Sequence, residues 1–312
     1  MTPAAHALVV LGGALALDAV AGEPPDALHP VVAMGRFYAR LRRFAPLREA
    51  RAASFAYGCA MALAGPLVFG GVAWAIGRAL APLPLLAIVF EIFLLKSALS
   101  VRMLGQAATA VGRALAEGDA TRARFGLRSL VSRDTALLDE PLMAAAVVES
   151  VAENASDSLV APLFFFVVGG VPGAIAYRAC NTLDSMIGYH GETEWLGKAA
   201  ARLDDVVNLV PARLTAALLV VASALGGGSP RGALRVWWRD GARTESPNAG
   251  RPMAAMAGAL GVELEKVGCY RLGDGGSADA GTIDRAVTLL YTACALMAVV
   301  AACATFWVRA HG

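Results

Sequence analysis

The sequence carries little charge. Asp, Glu, Lys and Arg make up 17% of its 312 residues, and the formal net charge is only +2. A soluble domain is usually about 25% charged, and a nucleic-acid-binding domain usually carries a strongly basic face. Hydrophobic residues reach 57%, with a mean hydropathy of +0.57. The composition therefore predicts a membrane protein and gives no support for a nucleic-acid partner.

Familiar metal and nucleotide motifs are absent as well. The sequence has no H-E-x-x-H, no G-x-x-x-x-G-K-[ST] and no C-x-x-C, so the signatures of a zinc protease, a P-loop and a thiol metal site are missing. Its four histidines are scattered, which disfavours a histidine-rich zinc site. Its five cysteines lie mostly in apolar runs, and we interpret them as small buried hydrophobic residues.

Long apolar runs are abundant, and about 20 such residues suffice to cross a bilayer. The first run lacks the basic start and cleavage site of a signal peptide, so we predict an uncleaved helix there. We expect one all-α, polytopic integral membrane domain over residues 1–312, with broken or re-entrant helices and a polar site facing the cytoplasm. The expected spans are 4–21, 52–77, 79–101, 158–177, 209–227 (marginal) and 286–308, and polar sections occupy 102–157, 178–208 and 228–285.

Two of these runs contain helix-breaking or charged residues. The letters "GGVPG" at 169–173 divide the run 158–177 into halves that are too short to span alone. We favour a re-entrant helical hairpin there, with a kinked single span as the alternative. Glu91 and Lys96 lie inside the run 79–101. A charge in such a segment is costly, so we expect both to face protein, water or an interface.

The distribution of arginine predicts the orientation of the chain. Residues 36–51 carry six arginines and one acid, which places them on the cytoplasmic side. Residues 231–285 are also rich in Arg and Lys, so they should be cytoplasmic too. A full span at 209–227 would put them outside, so one of these two interpretations has to be wrong.

Three polar clusters border the apolar runs. Glu149, Glu153 and Asp157 stand four residues apart, which puts three carboxylates on roughly one face of a helix, where something must compensate their repulsion. Carboxylate and amide oxygens suit a hard cation such as Mg²⁺, and interleaved Arg and Lys side chains can hold phosphate. The alternative is a set of solvated, salt-bridged helix faces. The other two clusters are Arg178, Asn181, Asp184 and Ser185, and Lys198, Arg202, Asp204, Asp205, Asn208 and Arg213.

Two loops are further candidates. In "SPNAGRP", Ser246, Asn248 and the backbone N–H groups of "NAG" could cradle an anion, and the alternative is a tight turn before a packed helix that begins near Pro252. His190, in "GYHGETEW", could move protons or bind an anion, although a lone loop histidine more often does neither. His29 is expected to organise the first cytoplasmic turn.

Several long motifs together resemble one known family. They are "LDAVAGEPPDALHPVVAMGR", "AENASDSLVAPLFFFVVGGVPGAIAYRACNTLDSMIGYH", "GKAAARLDDVVNLVPARL" and "SPNAGRPMAAMAGALGV". In this order, and over essentially the whole chain, they resemble the CobD/CbiB family, the adenosylcobinamide-phosphate synthases of cobalamin biosynthesis.

The resemblance implies a multi-pass enzyme of the bacterial inner membrane, with its active site facing the cytoplasm. Its reaction would join adenosylcobyric acid, a corrinoid, to (R)-1-amino-2-propanol O-2-phosphate or ethanolamine phosphate through an amide bond. ATP and Mg²⁺ would activate the carboxylate. The expected partners are these substrates, membrane lipid, and either further copies of the chain or other enzymes of the pathway.

The polar clusters then receive hypothetical roles in that reaction. Phosphoryl transfer develops charge that a metal and basic side chains must neutralise, and the amine must lose a proton to a base. Asp184, Asp205 and His190 are the catalytic candidates. The metal candidates are Glu149, Glu153, Asp157 and Asp204, and the candidates for substrate and phosphate binding are Arg178, Asn181, Lys198, Arg202, Asn208, Arg213, Ser246 and Asn248.

Two other functions fit part of the pattern. Broken helices that bear Asn and Asp are also typical of transporters, although matched repeat halves are missing from this sequence. A non-catalytic membrane sensor on the same scaffold is the third candidate.

Overall fold

The computed structural model describes residues 1–47, 49–189, 191 and 193–311, and within these the chain is almost entirely helical. The helices are α1 (Pro3–Val20), α2 (Pro30–Arg42), α3 (Arg51–Leu80), α4 (Pro84–Ala98), α5 (Val101–Ala116), α6 (Ala120–Leu127), α7 (Glu140–Ala155), a π-turn (Ser156–Val160), α8 (Ala161–Ile187), α9 (Glu194–Val207), α10 (Leu209–Leu225), α11 (Pro230–Asp240), α12 (Gly250–Leu260) and α13 (Ala280–His311). Three short strands, β1 (Val262–Lys266), β2 (Tyr270–Leu272) and β3 (Gly276–Ser277), separate α12 from α13.

Five helical segments in the described residues are long and apolar enough to cross a membrane, so the fold is that of a multi-pass membrane protein. They are Pro3–Val20, Arg51–Leu80, Pro84–Ala116, Glu140–Ile187 and Ala280–His311. Helices α9 and α10 pass the same test only as a pair, which is bent by 49° at Asn208, and this raises the number to six. The apolar helix that begins at Leu209 is therefore too short to pass the test by itself.

The chain divides into two compact units. The first comprises Met1–Ser100, Ala161–Asn208 and Val300–Gly312, and the second comprises Val101–Val160 and Leu209–Val299.

In the first unit, α3 packs against α8 and α9, and α1 packs against α4. Tyr38 of α2 is fully buried and donates a hydrogen bond to the Ala179 carbonyl of α8 at 3.0 Å. His29 accepts a bond from the Val31 N–H at the start of α2. It therefore caps that helix.

The charges expected to need partners in the apolar run 79–101 have them in the first unit. Glu91 contacts His6 of α1 at 2.9 Å. Lys96 is 2% exposed, and its Nζ lies 2.7 Å from Glu23 and 3.4 Å from Asp18. Burial by itself would raise the pKa of Glu23, but hydrogen bonds from His29 and Lys96 outweigh it and hold that pKa below its ordinary value.

Helix α8 doubles back on itself at Gly170, where φ is 66° and ψ is −162°. The rings of Phe165 and Tyr177 stack with their centroids 5.1 Å apart. Twelve residues of straight α-helix would separate them by about 18 Å, so the two arms form a helical hairpin rather than a kinked single helix. Only glycine readily adopts these backbone angles, which explains the "GGVPG" letters.

In the second unit, α12 is the central element. It is buried at almost every position and packs against α10, α11 and α7. Its close approach to α11 depends on two glycines. A Cβ added at Gly258 would lie 2.2 Å from the Gly232 carbonyl oxygen, so the two backbones are nearly in contact.

A small sheet in the second unit departs from the all-α expectation. Strand β1 pairs antiparallel with β2 and parallel with β3. The strands have five, three and two residues, too few for a periodic pattern to reveal them in the sequence. Strand β3 lies within the glycine-rich stretch "GDGGSADAG".

Candidate functional site

The first polar cluster is centred on Glu149 of α7, in the second unit. Glu149 is 5% exposed, and its Oε2 accepts a hydrogen bond from Arg133 Nη2 at 2.9 Å. Arg133 lies in the segment between α6 and α7, which is fixed at both ends by hydrogen bonds to backbone carbonyls. Ser150 Oγ donates to Leu130 O at 2.8 Å, and Arg124 donates to Leu138 O at 3.0 Å. The chain itself therefore supplies a cation for this acid.

The three carboxylates expected on one helix face have different surroundings. Glu149 is buried, Glu153 is exposed and Asp157 is half-buried. Successive four-residue steps drift around an α-helix, and α7 gives way to the π-turn before Asp157 is reached. The π-turn was not visible in the sequence, because nothing in "SDSLV" marks a change of helical pitch.

Two residues from the small sheet complete the surroundings of Glu149. Strand β1 packs against α7, and Lys266 at its end is near enough to act electrostatically on Glu149. Tyr270, its register partner on β2, donates to Met253 Sδ at 3.8 Å. Burial, together with the negative charges of Glu149 and Glu153, raises the pKa of Tyr270 above its ordinary value, so this hydroxyl stays protonated.

The second cluster is a hydrogen-bonded chain of side chains in the first unit. Tyr177 donates to Asn208 Oδ1 at 3.0 Å, and Asn208 donates to Asp204 Oδ2 at 2.9 Å. Asn181 donates to the other oxygen of Asp204 at 3.5 Å, and Arg178 donates to Asn181 at 3.3 Å. The α8 hairpin and α9 thus bring four of the sequence-predicted site residues together, with Asn208 at the end of α9 buried.

Other candidates on α9 lie on its outer face. Arg202 has 76% of its side chain exposed and contacts Asp205 at 3.5 Å. Lys198 is exposed, and its Nζ lies 4.6 Å from the centroid of the Trp195 ring. Asp184, on the second arm of α8, is half-buried. His190 lies outside the described residues.

The "SPNAGRP" loop is organised by its own hydroxyl groups. The Gly250 N–H donates to Thr244 Oγ1 at 3.0 Å, and the Asn248 N–H donates to Ser246 Oγ at 3.3 Å. Loop side chains therefore accept the protons of two of the backbone N–H groups that were candidates for holding an anion. The loop forms a turn before the buried helix α12.

The same loop nevertheless places two cationic side chains close together. Arg213 of α10 donates to Asn248 Oδ1 at 3.4 Å and to Leu209 O at 2.7 Å. Arg251, in the first turn of α12, donates to Pro247 O. Burial and the neighbouring charge of Arg213 lower the pKa of Arg251. An anion would be attracted to these two positive charges and would offset the repulsion that Arg251 experiences from Arg213.

The described residues contain no group of three or more His, Cys, Asp or Glu side chains arranged to hold a metal ion. Mg²⁺ seldom needs such a group, because it is usually bound through one or two carboxylates together with phosphate oxygens.

Sequence reasoning missed Arg133, Arg251, Lys266 and Tyr177 as members of these clusters. Arg133 lies in an irregular segment, Lys266 in an unrecognised strand and Tyr177 in an apolar run. None of them has a helical spacing that relates it to its partner. Arg251 could have been found, because it follows directly on the "SPNAG" turn.

The fold and these clusters define a multi-pass helical membrane protein with charged and amide side chains gathered in its interior. The chain belongs to the CobD/CbiB family, since the family model described as CobD/Cbib protein matches residues 11–304.

Relatives from bacteria and an archaeon resemble the chain over most of its length. The "Cobalamin biosynthesis protein CobD" of Dehalococcoides mccartyi is 48% identical over 262 residues, which cover 84% of this chain and 85% of the relative. The protein of that name from Geobacter metallireducens is 44% identical, covering 82% and 81%. The "Probable cobalamin biosynthesis protein CobD" of Methanothermobacter thermautotrophicus is 43% identical, covering 84% and 85%. No solved structure matches the chain.

Proposed function

We propose that this protein takes part in cobalamin biosynthesis as an adenosylcobinamide-phosphate synthase. It would form an amide bond between adenosylcobyric acid and (R)-1-amino-2-propanol O-2-phosphate or ethanolamine phosphate, with ATP and Mg²⁺. A role in this pathway is supported by family membership over almost the whole chain and by the names of the relatives. The inner membrane, with the site facing the cytoplasm where ATP is found, is the proposed location.

The observation that carries the proposal is the pair of guanidinium groups at the "SPNAGRP" loop. A carboxylate is a poor acylating agent, so ATP must first convert it to an acyl phosphate, which the amine then attacks. Phosphate oxygens bind guanidinium groups well, and burial together with the nearby positive charge of Arg213 lowers the pKa of Arg251. We assign this pair to a phosphate of the nucleotide.

An acidic side chain is needed to accept the proton that the amine loses, and another is needed to bind the positively charged metal ion. Asp184 and Asp205 remain the proposed catalytic residues, with Asp204 as a metal ligand supported by Asn208 and Asn181. Arg178, Lys198 and Arg202 are the remaining proposed contacts to phosphate.

The test is the reaction of purified protein with adenosylcobyric acid, aminopropanol phosphate and Mg-ATP. We expect a corrinoid amide, detected by mass spectrometry, with ATP consumed in step. Asp184→Ala and Asp205→Ala should abolish it, and Arg213→Met or Arg251→Met should raise the KM for ATP about tenfold, the effect of losing one charge-assisted hydrogen bond. Arg231→Met, an exposed arginine of α11, is the matched control and should change nothing. Full activity in both aspartate variants would refute these assignments.

A transporter is the second candidate, and the α8 hairpin is the observation that favours it. Broken helices beside buried Asn and Asp are a feature of transporter sites, and Tyr177 in the second arm bonds to Asn208. Uptake of corrinoid into proteoliposomes without amide formation would support transport over synthesis.

A further inference from the structure

Two buried polar atoms beside each other in the second unit have nothing to bond to. Glu149 Oε1 and Arg133 Nε have no hydrogen-bond partner in the part of the chain that the structure describes. Their side chains already meet through Glu149 Oε2 and Arg133 Nη2 at 2.9 Å. Only 7% of the Glu149 side chain and 19% of the Arg133 side chain are exposed. An unsatisfied buried acceptor and an unsatisfied buried donor are both costly, so each points to a group that is supplied from outside.

The two atoms belong to groups of opposite charge, and one further charge of each sign lies nearby. On the cationic side, Lys266 at the end of β1 acts electrostatically on Glu149. On the anionic side, Glu153 acts on the same carboxylate. A ligand that satisfied both open atoms would need a cationic donor and an anionic acceptor a short distance apart. An inorganic anion could accept a hydrogen bond from Arg133 Nε, but the negative charges of Glu149 and Glu153 would repel it. A simple cation could bind Glu149 Oε1, but the positive charges of Arg133 and Lys266 would repel it.

We propose that Glu149, Arg133 and Lys266 form the binding subsite for the amino alcohol phosphate, a short zwitterion. Its ammonium group donates to Glu149 Oε1, and its phosphate accepts from Arg133 Nε and from Lys266. The assignment rests on the synthase reaction proposed above. Each phosphate-bearing substrate would then bind its own basic side chains, because the nucleotide is assigned to Arg213 and Arg251.

This assignment removes Glu149 from the candidate metal ligands. Arg133 already contacts one oxygen of Glu149, and its positive charge would repel a Mg²⁺ ion bound to the same carboxylate. The neighbouring acid, Glu153, is exposed, and no third carboxylate in the described residues joins the pair to form a metal cluster. An ammonium group needs only one acceptor oxygen, which is what Glu149 has left.

Binding measurements with three related ligands test the proposal. Isothermal titration uses the purified protein with adenosylcobyric acid and a non-hydrolysable ATP analogue present, so that the order of binding does not matter. The ligands are (R)-1-amino-2-propanol O-2-phosphate, isopropyl phosphate, which lacks the amine, and 1-amino-2-propanol, which lacks the phosphate. The variants are Glu149→Gln, Lys266→Met and, as a matched control, Glu140→Gln, an exposed acid in the first turn of the same helix.

We expect the wild-type protein and Glu140→Gln to prefer the full ligand to either fragment by about tenfold or more. Glu149→Gln should lose the preference over isopropyl phosphate and keep the preference over 1-amino-2-propanol. Lys266→Met should show the reverse. Each variant thus loses recognition of one end of the ligand, a pattern that a general loss of structure cannot produce.

Three results would overturn the proposal: no saturable binding of the full ligand to the wild-type protein, an equal loss of affinity for all three ligands in Glu149→Gln, or a raised Mg²⁺ requirement in that variant with its ligand preference intact. The proposed reaction fails separately. If the preferences change as expected but no amide forms under any condition, the subsite stands and the synthase assignment falls.

Discussion

Lys96 is the clearest case of a residue whose position is explained only by its partners. Its ammonium group is buried in an apolar helix between Glu23 and Asp18. The sequence predicted that Lys96 must face something polar, but it did not identify the acids, which lie more than 70 residues away along the chain. Contacts at such separation leave no periodic signal.

Replacing Lys96 with Met should destabilise the protein by about 3 kcal/mol, because the buried Asp18 and the half-buried Glu23 lose their counter-charge. The measurement is thermal unfolding in detergent, with Arg78→Met, an exposed cation at the end of α3, as the control. Asp18→Asn combined with Lys96→Met should recover part of the loss. An unchanged melting temperature for the single variant would show that the buried pairs contribute nothing.

Asp240 makes the stability of the second unit depend on pH. Its side chain is fully buried and is contacted by Arg239 at 2.6 Å, Arg243 at 3.2 Å and the Gly273 N–H at 2.9 Å. Burial alone would raise the pKa of Asp240, but the bonds from Arg239 and Gly273 outweigh it and hold the pKa below its ordinary value. The group therefore stabilises the fold above the unfolded pKa of about 3.9, and this is lost as the pH falls through the folded value.

Asp240→Asn should accordingly lower the unfolding free energy by about 2 kcal/mol near neutral pH. The difference from the wild type should stay constant above about pH 5 and shrink below about pH 4. Melting temperatures measured across this range test the prediction. Asp274→Asn, which removes a partly exposed partner of Arg239, should have a much smaller effect, and a pH-independent deficit in Asp240→Asn would contradict the electrostatic explanation.

At the scale of elements, the helical hairpin of α8 depends on one backbone conformation. Gly170 has φ 66° and ψ −162°, whereas the adjacent Gly169 has open space around the position of a Cβ and no such strain. Gly170→Ala should cost about 1–3 kcal/mol, and Gly169→Ala should be almost neutral. Melting temperatures and the yield of folded protein in detergent compare the two. Equal effects would mean that the turn does not need its left-handed angle.

The elements could be predicted where composition and spacing carry a signal. The long apolar helices and the hairpin at "GGVPG" follow from helix breakers and apolar length. The π-turn and the three-stranded sheet could not be predicted. One extra residue per turn leaves no compositional mark, and strands of two to five residues are fixed by packing against α7 and α12 rather than by their own pattern.

The candidate site was predictable as a set of residue types and not as a set of contacts. Asn181, Asp204 and Asn208 do meet, because α8 and α9 pack against each other at helical spacing. Glu149 instead accepts a hydrogen bond from an arginine of an irregular segment, which no spacing along α7 indicates. Helical periodicity describes which residues share a face, but which face meets which is decided by tertiary packing.

At the scale of the whole molecule, the side of the membrane on which the "SPNAGRP" loop lies can be tested with a thiol of the chain itself. Cys269 is exposed, whereas Asn248 in the loop is buried and would report poorly. With Cys59, Cys180, Cys294 and Cys303 changed to serine, a membrane-impermeant maleimide should label Cys269 in inside-out vesicles only. Ala242→Cys in a background without Cys269 should give the same result. Labelling confined to right-side-out vesicles would place the loop, and the proposed nucleotide site, outside.

The buried lysine of α4 also bears on how the chain enters the membrane. Lys96 lies in the last turn of α4, and a lysine within an apolar helix opposes insertion by up to about 3 kcal/mol when the helix enters alone. Helix α1 and the segment after it carry His6, Asp18 and Glu23, and they leave the ribosome before α4 does. Acidic partners for Lys96 are therefore already made when α4 is presented to the bilayer. We therefore expect α4 to insert into the bilayer together with α1. Because the acidic partners are synthesised first, they can offset the charge of Lys96 during insertion as they do in the folded protein.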